Sequence, residues 1–192
     1  MNTISHLHDV GVVVLVGLMG SGKSTVGTKL AQRLHCSFID IDAQILREQK
    51  KTVSEIFAQS GEKVFREIEA SVLAQVLDNA CAQIVRNEAQ SVVVATGGGA
   101  VLRVTNRDKI VNAATHVIWL DADVDTLVTR TSLSKNIRPL LETDPRSALT
   151  TLSNDRSDFY EQIATKRIVT SNLGVDQVVD AVMQVVQSSV SK

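Results

Sequence analysis

Short apolar runs rich in β-branched residues recur along the chain: Gly11–Val16, Ser37–Ile41, Ser91–Ala95, His116–Leu120 and Arg167–Thr170. Runs this short, apolar at nearly every position, predict strands covered on both faces. The stretches between them carry helical spacing. Ser24 to Leu34 reads as a helix directly after the first run. Thr52-x-x-Glu55 is a capping box that opens a short helix through Gln59, and Gly61 suits its stop. A longer helix is expected over about Glu62–Asp78, and a Val/Met stripe predicts a last one over about Val175–Gln187. Strand alternating with helix implies βαβ units, hence a parallel sheet between helical layers.

Two segments break the alternation. Residues 42–78 place two or three helices where one crossover needs a single helix, which predicts an inserted helical lobe. Residues 132–147 hold both prolines of the chain, Pro139 and Pro145, and read as a loop. A structureless loop of that length inside a compact domain is characteristic of an active-site lid. The expected organisation is a short polar leader over 1–9, one domain over 10–188 and a tail over 189–192.

Composition narrows the partners. The 192 residues carry 20 Lys and Arg against 21 Asp and Glu, a formal charge of −1. That balance argues against bulk attraction to nucleic acid or an anionic membrane. No run approaches the roughly 18 apolar residues of a membrane helix. Cys36 and Cys81 have no metal-ligand spacing and read as small apolar residues in a reducing cytoplasm. No exposed apolar stripe asks for a partner, so a monomer is expected.

The chemistry begins at Gly17-Leu18-Met19-Gly20-Ser21-Gly22-Lys23-Ser24. This is the phosphate-binding pattern G-x-x-x-x-G-K-[ST], between a predicted strand and a predicted helix. Its glycines let successive N–H groups face phosphate oxygens. Lys23 can reach the β- and γ-phosphates, and the Ser24 hydroxyl can ligate Mg²⁺. Asp40 and Asp42 follow at the end of the second strand. On an extended chain that spacing puts both carboxylates on one face, at the sheet rim where ligands gather. One could steady Mg²⁺ through water and the other orient or deprotonate an acceptor hydroxyl; capping by Asp42 of the next helix is the structural alternative. Glu62, Arg66 and Glu69 share a helix face, which alone would be no more than a surface ion-pair ladder. Gly97-Gly98-Gly99, after the third strand, permits close backbone approach to an anion. Arg138 lies in the proline-containing loop, with Arg130 and Arg156 on flanking helices.

In this order the pieces resemble the shikimate kinases, of the nucleoside-monophosphate-kinase-like P-loop group. The matching motifs are Gly-Leu-Met-Gly-Ser-Gly-Lys-Ser-Thr at 17–25, Phe-Ile-Asp-Ile-Asp at 38–42 and Gly-Glu-x-x-Phe-Arg-x-x-Glu at 61–69. They continue with Gly-Gly-Gly-Ala at 97–100, Arg-Pro-Leu-Leu at 138–141 and Arg-x-x-x-Tyr at 156–160. The resemblance implies transfer of the γ-phosphoryl group of ATP to the 3-hydroxyl of shikimate, in aromatic amino acid biosynthesis. It further implies that Gly20, Ser21, Gly22, Lys23, Ser24 and Thr25 bind ATP, with Arg130 near adenine and Arg138 on the phosphates. Asp42 would bind the shikimate hydroxyls and act as base. Arg66, Arg156 and the Gly97–Gly99 backbone would hold the carboxylate and ring, Glu69 would support Arg66, and Asp40 would assist Mg²⁺ beside Ser24. Where the family usually has Pro two residues after its second substrate arginine, this chain has Asp158.

Two rivals follow from the same residues. A related kinase such as a gluconate kinase also phosphorylates a polyhydroxy acid, though Phe65-Arg66 and the triple glycine favour shikimate. A non-catalytic sensor of ATP or shikimate would be expected to have lost Lys23, Asp42 or Arg138, and all are present.

Overall fold

A computed structural model describes residues 10–133 and 144–188. The strands are β1 (Gly11–Val16), β2 (Ser37–Asp40), β3 (Ser91–Ala95), β4 (His116–Asp121) and β5 (Lys166–Val169). All pair in parallel, in the order β2-β3-β1-β4-β5. The helices are α1 (Lys23–Arg33), α2 (Ile41–Gln49), α3 (Val53–Val85), α4 (Val104–Ala113), α5 (Val124–Ser132), α6 (Pro145–Ile163) and α7 (Val175–Ser188).

Strand alternation divides the interior in two. Val12, Val14 and Val16 of β1 face a core built with α2, α3, α4, α5 and α6, where Ile45, Phe65, Leu73, Ile110, Leu149 and Tyr160 pack. Val13 and Leu15 face the opposite core, closed by Leu30 of α1 and Val179, Val182 and Val186 of α7. These are the three layers the alternation predicts. Strands buried on both faces need no polar alternation, which is why their sequences read as continuous apolar runs.

The boundaries differ in instructive places. Strand β2 ends at Asp40, not Ile41, because the Asp40 side chain accepts from the Ala43 N–H at 3.2 Å and caps α2. Asp42 therefore lies in the first turn of α2, and the cap is Asp40 rather than Asp42. The capping box of Thr52 and Glu55 forms as expected. Gly61, at φ 78° and ψ 170°, is non-helical and divides α3 into two helical segments, the stop expected there, while the second segment runs on to Val85, past the expected Asp78. Pro145 is helical: it fills the first turn of α6, where its missing N–H has no partner to lose, behind the cap Asp144. The expected loop over 132–147 is thus shorter at its C-terminal end. Arg138 and Pro139 lie outside the described residues, as do the leader and the tail. Helix α6 passes through Asp158 unbroken, with that carboxylate exposed. No described helix is long and apolar enough to cross a membrane. Burial pushes the Cys36 thiol up to about 11, so it stays protonated, as the apolar reading of that residue requires.

Candidate active site

The P-loop curls at the C-terminal end of β1. Gly17, Gly20 and Gly22 sit at φ 138°, 81° and 99°, in the left-handed region that L side chains avoid. A Cβ on Gly17 would run into the Leu120 carbonyl, and one on Gly20 would lie 2.9 Å from the Thr131 methyl. Gly22 occupies the cap position of α1, whose first turn carries no side-chain cap and no acidic residue. An uncapped helix start at the end of a curled loop is an anion site. The Lys23 ammonium donates to the Gly17 and Leu18 carbonyls at 2.8 and 2.9 Å, which holds it over the loop. The Ser21 hydroxyl is buried and has no partner among the described residues.

Ser24 and Asp40 meet: the hydroxyl donates to Asp40 Oδ2 at 2.5 Å. These are hard oxygen donors at the mouth of the loop. Among the described residues no cluster of three or more His, Cys, Asp or Glu could enclose an ion. The pair fits a cation of the Mg²⁺ kind, which takes one or two protein oxygens and fills its shell with water and phosphate.

One cavity of about 500 Å³ joins these parts. The P-loop residues Met19–Val26 line its floor. Asp40, Asp42, Thr96 and Gly98 form one end, and Arg130, Thr170, Leu173, Val175 and Val178 the other. Asp40 and Asp42 therefore face one space although helix, not strand, carries the second. Arg130 is fixed by Thr170, donating to its hydroxyl at 2.9 Å and its carbonyl at 2.7 Å.

Beyond Asp42 lies a cluster of buried charge. Arg66 donates to Glu69 Oε2 at 2.8 Å and to Glu62 Oε1 at 2.9 Å. Glu69 is 1% exposed, and its Oε1 has no hydrogen-bond partner among the described residues. Burial, only partly offset by Arg66, raises the Glu69 carboxyl above its ordinary range, and the Asp42 charge adds to the rise. Burial also works against the Arg66 charge, but Glu69 and Glu62 outweigh it and the guanidinium titrates higher than usual. Arg156, from α6, is 4% exposed, makes no ion pair among the described residues, and leaves Nε without a partner.

The glycine triplet closes over this cluster. A Cβ on Gly97 would strike Glu69 Oε1 and lie 3.1 Å from Asp42 Oδ1. One on Gly99 would strike the Arg66 guanidinium, and one on Gly98 would lie 3.3 Å from the Met19 nitrogen. A side chain at any of the three positions would require a neighbour to move, so the triplet is a fitted surface. The described candidates thus fall in two adjoining groups: the P-loop, Asp40, Asp42, Gly98 and Arg130 line the cavity, and Arg66, Glu69, Arg156, Gly97 and Gly99 form the cluster beside it, next to Asp42. Three that the sequence did not single out by role complete the site: Thr170 on Arg130, the apolar wall of Leu173, Val175 and Val178, and Tyr160. Thr170 and the wall leave no local signal, since only the fold carries β5 and α7 to the P-loop. Tyr160 does leave one, standing one helical turn after Arg156.

Comparison with known proteins decides the family. The shikimate kinase family model matches residues 19–187. The chain belongs to the shikimate kinase family. A shikimate kinase of Symbiobacterium thermophilum is 41% identical over 177 residues, covering 91% of this chain and 95% of that protein. One of Novosphingobium aromaticivorans is 44% identical over 151 residues, covering 78% and 74%. Among solved structures, a shikimate kinase from Acinetobacter baumannii in complex with shikimate superposes with a TM-score of 0.82 at 31% identity, covering 93% of this chain and 94% of that one. A gluconokinase from Sinorhizobium meliloti shares the fold, with a TM-score of 0.61 at 19% identity over 94% of each chain.

Proposed function

We propose that this shikimate-kinase-family chain transfers the γ-phosphoryl group of ATP to the 3-hydroxyl of shikimate, and that the two ends of its site divide the work. The P-loop amides and Lys23 take the phosphates. Arg130 and the wall of Leu173, Val175 and Val178 take the base. Ser24, and Asp40 through water, would hold Mg²⁺, which when bound neutralises phosphate charge. Arg138 is assigned to the phosphates on its Arg-Pro-Leu-Leu motif alone.

The observation that carries the acceptor is Arg156. A buried guanidinium that feels the Glu69 charge but forms no ion pair among the described residues is costly unless an anion completes it. Arg66, turned toward Gly99 by two carboxylates, supplies a second cation, and the Gly97–Gly99 backbone lets a flat ring approach. A small carboxylate-bearing polyol fits that arrangement. Its carboxylate faces the arginines and its hydroxyls face Asp42. Asp42 accepts the hydroxyl proton as the oxygen attacks the γ-phosphorus. One P–O bond forms, the bond to the β-phosphate bridging oxygen breaks, and ADP leaves. Lys23 stays over the phosphates and stabilises charge as it shifts to the leaving group.

A coupled ADP-release assay with shikimate and gluconate tests this. Turnover is expected with shikimate, and turnover with gluconate alone would overturn the assignment.

A further inference from the structure

Tyr160 is the only tyrosine of the chain and is 1% exposed. Its hydroxyl donates to the Gly98 carbonyl at 2.5 Å, across 62 residues of sequence. Arg156, one turn earlier on α6, lies beside the same hydroxyl, where burial raises the titration of the phenol and the Arg156 charge pulls it down. The ring is fixed independently, against Trp119 with centroids 5.6 Å apart. On its other side Gly98 packs on the P-loop: a Cβ there would lie 3.3 Å from the Met19 nitrogen and 3.4 Å from the Gly17 carbonyl oxygen. That carbonyl also accepts from Lys23. A series of adjoining groups therefore runs from Arg156 through Tyr160 and Gly98, whose Cα faces the P-loop backbone, to Gly17 and Lys23.

We propose that Tyr160 is a positioning residue: its hydroxyl ties Gly98 to Arg156 and so sets the anion cradle of the acceptor in register with the P-loop. The geometry requires the hydroxyl and not the ring, since the ring is already held by Trp119. A protonated phenol suits the task because it can donate to a carbonyl and accept from a guanidinium at once. Burial raises its titration despite the pull of Arg156, so the proton is kept at every working pH. The inference relies on the proposed acceptor only for its kinetic arm.

Tyr160→Phe keeps the ring and removes the one group in question. The expected result is a rise in the KM for shikimate of about 5-fold, the scale of one neutral hydrogen bond, with kcat and the KM for ATP changed less than 2-fold on that same scale. In the free enzyme, amide hydrogen exchange should quicken over Gly97–Ala100 and not in the strands of the sheet. Trp119→Phe serves as the packing control. It should lower Tm and leave the KM for shikimate unchanged. An unchanged KM or unchanged exchange in Tyr160→Phe overturns the inference, as does an equal KM rise in Trp119→Phe. Failure of wild type to turn over shikimate would instead sink the acceptor assignment, and the exchange result would still judge Tyr160.

Discussion

The two ends of the site are built on opposite principles. The end proposed for the donor is one contiguous loop whose glycines curl the backbone, and its side chains add Lys23 and Ser24. The end proposed for the acceptor is assembled from side chains on α2, α3 and α6 beneath a glycine turn after β3. Backbone binds phosphate wherever it is found, so the first end specifies a chemical group. Side chains at fixed separations recognise one shape, so the second end specifies a molecule. The arrangement predicts that mutations will separate, with donor variants and the base Asp42 losing rate, and the arginines and glycines of the acceptor end losing affinity for one substrate.

The largest effect should come from Lys23→Ala. Removing one preorganised electrostatic stabiliser is worth about 10³-fold in kcat at the upper end. Binding of shikimate to the ATP-free protein, followed by calorimetric titration, should be unaffected. A lost shikimate affinity would show that the two ends are one unit, contrary to the division drawn above. Asp42→Asn comes next, with kcat falling about 10²-fold for loss of general base catalysis and the KM for ATP unchanged. Full activity in that variant would remove Asp42 from the mechanism.

Arg156→Lys probes the acceptor end alone. A buried charged hydrogen bond is worth about 1.5–3 kcal/mol, so the KM for shikimate should rise roughly 10- to 100-fold. Lysine keeps the charge but not the planar fork, and recovery of wild-type KM would mean that charge alone suffices. Gly99→Ala should act in the same direction by driving a methyl group into Arg66. A KM rise of roughly 10-fold or less is expected, because a long side chain can yield part of the space.

These contrasts also explain what the sequence makes legible. The five strands are legible as apolar runs because burial on both faces leaves a pattern within each strand, whereas their order β2-β3-β1-β4-β5 is set by packing that no single run records. The P-loop is legible because its parts are neighbours in the chain. Arg66 and Arg156 are not: taken singly, each looks like a solvated cation. Only the resemblance to a family singles them out before the fold shows Arg156 buried and Arg66 pinned by Glu62 and Glu69. The Asp40–Asp42 spacing pointed to the right cavity for a partly wrong reason. Capping of α2 by Asp40 turns the chain from strand to helix between the two carboxylates, a competition that residue spacing does not reveal. Tyr160 escaped a role because its partner, the Gly98 carbonyl, is a backbone atom.

The smallest expected effect lies in the sheet that both ends share. His116 opens β4, is 4% exposed, and its Nε2 has no partner among the described residues. Burial lowers its titration below the ordinary 6.5. The unfolded chain therefore takes up the proton at a higher pH than the native protein does. By linkage, the stability this neutral ring contributes is present above the unfolded value and is lost as pH falls through it toward the native value. Thermal melts should show Tm falling over that interval, and less steeply in His116→Phe, which has no proton to bind. Both KM values should be unchanged in that variant at neutral pH, because His116 touches neither end of the cavity. Equal slopes for the two proteins would mean that another group carries the acid sensitivity. A shifted KM for only one substrate would mean that β4 transmits strain to that end alone, and the shared sheet would no longer be a neutral platform for the two.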